Sequence, residues 1–294
     1  MGYLFVIIAS VLFGIFPSIQ TKAMNNGATP LAMVALSFGI AALFSFFVAL
    51  IRRESFRLSK AALPHVLLAG AGLFVTNVLL DVAYTLIPVG FATMIHFLFP
   101  SLVCLTMAVF FKQKLTPGKI AAIFMSILGL LLISGGGIGG NVRGILAALC
   151  TTVAYATYMI ENDISPVARL PQSVCSFYLN LVTSLMAFAL IGIKGGAVFP
   201  AWPGPMLMTV LGGVMLGVGV ISLSYGIRIL GTVVASFFNM VEPLTSFAVS
   251  FFVFRYAVSG MAFTGCVLIL GALLLIAVSG RGDAAGGRKN AAGG

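Results

Sequence analysis

Ten continuous apolar runs occupy this sequence, and each is close to the ~20 residues that a helix needs to cross a bilayer. They fall at 3–22, 30–51, 64–85, 88–111, 117–137, 144–161, 171–193, 205–227, 231–254 and 258–279. In lipid every backbone polar group must be bonded inside the protein, so runs of this length are predicted to be helices. A β-barrel would instead alternate over roughly 10-residue segments, and these runs do not alternate. Only 7% of the residues are charged, against roughly 25% in soluble domains. The expected class is an all-α membrane protein with ten transmembrane helices.

Proline marks the boundaries. Pro30, Pro64, Pro88 and Pro117 stand at the starts of runs, where a missing N–H costs little. Pro17, Pro100 and Pro243 fall inside runs and are predicted to kink their helices.

The net charge of +10 does not point to nucleic acid, because the basic residues sit in short connections and the tail. There they act as topology signals. One side receives Arg52, Arg53, Arg57, Lys60, Lys112, Lys114, Lys119, Arg169, Arg228, Arg281, Arg288 and Lys289. The other receives Lys22, Arg143, Lys194 and Arg255. This asymmetry places both termini in the cytoplasm, and the expected location is a plasma membrane of the bacterial inner-membrane kind. The stretch 281–294 is Gly/Ala-rich with scattered charge and is expected to be a disordered cytoplasmic tail, its Arg-Gly-Asp a coincidence.

Cys104, Cys150, Cys175 and Cys266 lie within apolar runs, with neither a disulfide framework nor metal spacing. Met1-Gly2-Tyr3 lacks the basic start of a cleavable signal peptide, and Val6 stands where myristoylation requires Ser or Thr. Residues 135–140 satisfy G-x-G-x-x-G but follow a membrane run, a context that excludes a dinucleotide fold. Gly129 and Gly271 are expected to allow close helix packing. No cofactor or metal site is expected.

The fourth and ninth runs correspond. FATMIHFLFPSLVCLTMAVFFK (91–112) aligns with VASFFNMVEPLTSFAVSFFVFR (234–255), pairing Ala92 with Ala235, Thr93 with Ser236, His96 with Asn239 and Pro100 with Pro243. Each is followed by a Gly/Leu-rich run. Five spans per half is an odd number, so the second copy enters from the opposite face. Such inverted repeats are a transporter architecture, with the substrate site near the midplane. The predicted division is 1–140 for the first five-helix repeat, 141–280 for the second inverted repeat, and 281–294 for the tail.

These residues also resemble a known family. TLIPVGFATMIHFLFPSLVCLTMAVFFKQKLTPGKIAAIFMSILGLLL, GTVVASFFNMVEPLTSFAVSFFVF with its Glu-Pro, and the opening GYLFVIIASVLFGIFPSIQTKA with Phe13-Gly14 resemble the EamA-type repeats of the drug/metabolite transporter superfamily. The resemblance covers residues 3–280. It implies two inverted five-helix halves, a central cavity lined mainly by spans 1, 3, 4, 6, 8 and 9, and export or exchange of small metabolites. One departure is visible: relatives often carry Gly-Glu after the fourth helix of a repeat, where this chain has Phe111-Lys112 and Phe254-Arg255.

Ionisable and polar groups within spans are costly and are therefore functional candidates. Asn77, Asp81 and Tyr84 share one face of the third helix; Thr93, His96 and Pro100 share one of the fourth; Ser236, Asn239 and Pro243 share one of the ninth. Asn77, His96, Asn239 and Glu242 fall within about two turns of the midplane. The candidate substrate-binding residues are His96, Asn239, Asn77, Tyr84, Thr93, Ser236, Tyr155, Tyr158 and Tyr225. The proton-coupling candidates are Glu242 and Asp81, and the hinge candidates are Pro100 and Pro243. The plain alternative for the polar cluster is interhelical hydrogen bonding that glues the bundle. For the tyrosines, Tyr178 included, it is packing or an interfacial belt, and Trp202 reads as a belt anchor. Glu161 and Asp163, at the cytoplasmic end of the sixth span, read as solvated or as a gate; His65 lies at a helix mouth near the basic loop.

No Lys or Arg falls near the midplane, which argues against a phosphate or nucleotide-sugar cargo. A neutral, zwitterionic or cationic metabolite is expected, with an amino acid or amine favoured. With no ATP-binding motif, transport is expected to be secondary, by alternating access and with protons as a coupling ion. The alternatives are a lipid-linked substrate flippase and, in other classes, an intramembrane enzyme or a channel. An enzyme would need a nucleophile–base pair or metal ligands, and a channel a polar stripe or charged ring; neither pattern is present, so no enzyme is expected. The expected partners are the small metabolite and the lipid bilayer, with the chain a monomer or homodimer.

Overall fold

The computed structural model describes residues 1–24, 26–87, 89–133, 141–252 and 260–291. Among these residues the regular structure is helical throughout, with no strand. The helices are α1 (Gly2–Met24), α2 (Pro30–Ile51), α3 (Leu63–Leu86), α4 (Val89–His96), α5 (Phe99–Phe111), α6 (Pro117–Ile133), α7 (Val142–Ile164), α8 (Gln172–Lys194), α9 (Gly204–Leu230), α10 (Thr232–Phe238), α11 (Val241–Phe252) and α12 (Gly260–Ala291). A 3-10 turn, Pro166–Arg169, links α7 to α8. Among the described residues six helices, α1, α2, α3, α7, α8 and α9, are long and apolar enough to cross a membrane. Shorter apolar helices occupy Phe99–Phe111, Pro117–Leu132 and Phe263–Ile276.

The local punctuation follows the sequence. Pro30 and Pro64 sit in the first turns of α2 and α3. The Asn141 side chain caps α7 by accepting from Arg143 N at 2.9 Å. Gly231, at φ 78°, is the single residue between α9 and α10 and caps both. That left-handed backbone is open to glycine and strained for other residues.

The internal prolines act differently from the kinks predicted. Pro17 leaves α1 unbroken. The fourth run is two helices, α4 and α5, separated at Phe97 and Leu98, and Pro100 sits in the first turn of α5. The ninth run is likewise split at Asn239 and Met240 into α10 and α11, with Pro243 in α11's first turn. A proline has no N–H to donate and crowds the preceding turn, so the ladder ends before it and restarts with it. The hinge candidates are thus the first-turn residues of restarted helices. The backbone of α12 runs on to Ala291, past the expected end of the last span near 279, over a stretch without proline. Pro88, Arg255 and the Gly-rich 135–140 lie outside the described residues.

Helices in lipid gain little from hydrophobic exclusion, so close van der Waals approach must hold them together. Glycine supplies it here. A Cβ on Gly129 of α6 would meet Gly265 O of α12 at 2.8 Å, and one on Gly72 of α3 would meet Ala154 O of α7 at 2.7 Å. One on Gly271 of α12 would meet Met125 of α6 at 2.7 Å, so both glycines expected to permit close packing do so. The main pairings are α1 with α9, α3 with α7, α2 with α8 and α6 with α12; α9 also packs on α2, and α3 on α8. Hydroxyls pin these seams, as in Ser45 to Ser176 at 2.9 Å and Ser184 to Ala35 O at 2.7 Å. Phe47, Leu105, Phe110, Phe124, Leu185, Phe263 and Leu274 stay exposed, leaving an apolar exterior suited to lipid.

Candidate functional site

The two broken helices meet around α7. Asn239 is the first residue after α10 and is fully buried. Its Oδ1 accepts from Ser10 Oγ of α1 at 3.0 Å. Its Nδ2 donates to the Tyr155 hydroxyl of α7 at 3.1 Å and reaches Glu242 Oε2 of α11 at 3.5 Å. One amide thus joins α1, α7 and both halves of a broken helix. Its orientation is fixed by having an acceptor role on one side and two donor roles on the other.

His96, the last residue of α4, stands on the other side of Tyr155. Their ring centroids are 5.4 Å apart, edge to face. Phe99, the first residue of α5, contacts His96 at 5.5 Å and Tyr155 at 4.6 Å, and Tyr155 contacts Tyr158 at 5.3 Å. These rings form a continuous aromatic wall from the α4–α5 break to the middle of α7. Thr152 Oγ1 donates to Ile95 O at 2.7 Å, adding to the tightened turn in which that carbonyl accepts from Leu98 N at 3.1 Å.

The tautomer of a neutral His96 follows from its partner. Thr151 has one hydroxyl hydrogen and lies 2.6 Å from Ala148 O. Donating it there, Thr151 accepts from His96 Nδ1–H at 3.0 Å. That tautomer puts the proton on Nδ1 and leaves Nε2 as an acceptor.

Glu242 is in the first turn of α11, where the helix dipole favours a negative group. Among the described residues the one ion pair is His65–Glu161, so Glu242 has no cationic partner. The Tyr84 hydroxyl is paired with Thr93 Oγ1 at 3.2 Å, joining α3 to α4. The Tyr158 hydroxyl is fully buried and has no hydrogen-bond partner among the described residues.

The structure therefore brings together His96, Asn239, Tyr155, Tyr158 and Glu242, while Tyr84 of α3 pairs with Thr93 in the first half of the α4–α5 broken helix. It does not bring every candidate there. Asn77 donates to Leu73 O at 2.9 Å, and Ser236 to Val233 O at 2.8 Å, so each bonds its own helix. Tyr225 stacks on Phe5 at 5.2 Å, and its hydroxyl accepts from Arg52 Nη1 at 2.6 Å; it belongs to the basic end of the molecule. Tyr178 donates to Phe56 O at 2.7 Å at that same end. Glu161 is paired with His65 at 2.7 Å, and Asp163 accepts from Thr232 N at 2.7 Å, so neither is merely solvated.

Four site residues escaped the sequence reading: Ser10, Phe99, Thr151 and Thr152. Thr151, Tyr155 and Tyr158 stand at i, i+4 and i+7 and share a helix face, a spacing that could have found Thr151. Ser10 is a single hydroxyl in an apolar run, with no local signal.

The sequence profile of the EamA-like transporter family matches residues 1–135. Over those residues the chain is similar to the EamA-like transporter family. The match covers α1 to α6, including the α4–α5 break with His96. An uncharacterized transporter of Archaeoglobus fulgidus is 31% identical over 132 residues, which is 44% of this chain and 46% of that protein. The chain thus matches less than half the length of that relative. A solved crystal structure of a protein superposes with a TM-score of 0.81 over 95% of this chain and 98% of its own, at 22% identity. That likeness shows a shared fold over nearly the whole chain, beyond the part the EamA-like profile reaches.

Proposed function

We propose that this chain is a secondary transporter that moves a small metabolite by alternating access. Its ten spans form two inverted five-helix repeats, divided near residue 140. The packing supports an exchange of halves: α1 on α9 mirrors α7 on α3, α2 on α9 mirrors α8 on α3, and α2–α8 and α6–α12 map onto themselves. The α4–α5 and α10–α11 breaks occupy equivalent places in the two repeats. Broken helices facing each other across a pseudo-two-fold are where transporters hold cargo.

The observation that carries the reading is Asn239. A buried amide at one break, bonded to α1 and α7 and linked through Tyr155 to His96 at the other break, couples the two repeats through one polar junction. His96 Nε2 and the Tyr158 hydroxyl supply an acceptor and a donor for cargo, and the aromatic wall supplies a face for an apolar or cationic part. The contacting rings must part for cargo to enter, so binding is tied to movement of α4–α5 or α10–α11. With two acids and no Lys or Arg among these residues, the cargo is neutral, zwitterionic or cationic, an amino acid or amine. Glu242, whose carboxylate is held among the described residues by one long contact at 3.5 Å, carries the coupling proton, with Asp81 of α3 as the second candidate. The bacterial inner membrane, with both termini cytoplasmic, is the setting that the basic residues favour.

The test is a thermal-shift screen of purified protein against amino acids, amines, nucleosides and sugar phosphates, with Glu242→Gln in parallel. A ligand that binds the folded state raises apparent stability by mass action. Stabilisation by an amine or amino acid that is lost in Asn239→Ala supports the site. Stabilisation by sugar phosphates alone overturns the cargo class.

A further inference from the structure

We propose that a second site, on the basic face and away from the broken helices, binds a phosphate-type anion: free phosphate or the headgroup of an anionic lipid. A cavity of about 340 Å³ lies between the α2–α3 connection and the 3-10 turn after α7. Arg57, Ser59 and Ala62 line one side, and Pro166, Arg169 and Leu170 the other; no acidic residue lines it. Its volume is at the small end of the roughly 300–1,000 Å³ typical of ligand pockets, suited to a headgroup-sized ion.

The two arginines are positioned and uncommitted. Among the described residues, neither guanidinium has a hydrogen-bond or ion-pair partner. The neighbouring basic residues differ in this respect. Arg52 is held by Tyr225, and Arg228 donates to Ala168 O and to Leu170 O, the latter at 3.3 Å. Those contacts fix the turn that carries Arg169. Tyr178, donating to Phe56 O at 2.7 Å, fixes the segment that carries Arg57. Ser59 Oγ accepts from Ala62 N at 3.1 Å, which leaves its own hydrogen to donate into the cavity. The acids of this end are engaged elsewhere: Glu161 with His65, and Asp163 with Thr232 N. Glu54 shares the α2–α3 connection but does not line the cavity.

Two forked guanidinia and a hydroxyl with no acid between them match the oxygens of a phosphate better than those of a carboxylate, because phosphate takes several donors at once. Arg57 belongs to the first repeat and Arg169 to the second, so a bound anion ties the two halves together at this face. Both arginines lie on the side that the positive-inside asymmetry assigns to the cytoplasm, the side where basic residues attract anionic headgroups.

The experiment uses the full chain in neutral detergent, with binding read by native mass spectrometry and thermal shift. The probes are inorganic phosphate and phosphatidylglycerol; chloride at matched ionic strength is the reference. R57Q and R169Q are expected to weaken binding at least tenfold each, while K60Q, an exposed charge in the same connection, leaves it within twofold. R57K and R169K retain charge without the fork and report the same loss if the glutamine variants do not fold. Saturable binding of phosphate alone identifies a free anion, and binding confined to phosphatidylglycerol identifies a headgroup. Absence of both, or an equal loss in K60Q, overturns the site.

Discussion

Gly14 offers a sharp test of the geometry around the α10–α11 break. It lies on α1 against the first turn of α11. A Cβ at this position would stand 2.6 Å from the backbone oxygen of Glu242 and 2.7 Å from Thr245 Cβ. Ordinary contact begins near 3.4 Å, so Gly14→Ala forces α1 and α11 apart by about 0.8 Å. The opposing atom at 2.6 Å is backbone and cannot swing aside. Thr245 is itself held by its bond to Val241 O at 2.9 Å. The same separation stretches the Ser246 Oγ to Gly14 O bond, now 2.9 Å. Overpacking of this kind costs about 1–3 kcal/mol, and the weakened hydrogen bond adds about 0.5–1.5 kcal/mol. Gly192 of α8 is the control, since nothing lies within 4 Å of its Cβ position. There alanine gains helix propensity, about 0.5–1 kcal/mol. Thermal unfolding in detergent should lower the midpoint for Gly14→Ala and leave or raise it for Gly192→Ala. A Gly14→Ala protein as stable as wild type would refute the close approach, and with it the placement of Glu242 against α1.

Further outcomes follow from the same contacts. Glu242→Gln should remove pH-gradient-driven uptake in proteoliposomes while sparing cargo exchange, and an unchanged pH dependence would exclude Glu242 as proton carrier. Tyr225→Phe should keep cargo-induced stabilisation, since Tyr225 is bound to Arg52 away from the broken helices; loss of that effect would place it back in the site. His65→Ala should cost about 1 kcal/mol or less in thermal unfolding, because the His65–Glu161 pair has side chains 39% and 14% exposed and such pairs are worth about 0–1 kcal/mol. A loss of several kcal/mol would show that this pair closes the basic face more tightly than its exposure implies.

Much of this architecture was written locally. Span positions follow from apolar length, and α2 runs from Pro30 to Ile51 as the sequence predicts. His96, Asn239 and Glu242 were visible because polar groups are rare in such runs. What was not legible depends on partners distant in sequence. Pro100 and Pro243 announce a disturbed ladder, but whether the helix bends or restarts depends on what bonds the carbonyls at the break, such as Thr152 joining Leu98 N on Ile95 O. Ser10 joins the site only because α1 passes the α10–α11 break, and their separation of 229 residues hides that from any local pattern. Tyr225 matched the aromatic spacing as well as Tyr155 did; its depth along α9, beside Arg52, removes it. Asn77 and Ser236 show that a polar residue on a facing surface can still satisfy itself on its own helix.

The most direct test of the account is cargo binding by Asn239→Ala. This change removes the amide that joins Ser10, Tyr155 and Glu242, while Ser10 keeps its bond to Val6 O at 2.8 Å. The account predicts a folded protein in which stabilisation by the cargo identified in the screen falls at least tenfold in apparent affinity. An Asn239→Ala protein that binds that cargo as tightly as wild type would contradict a site between the broken helices.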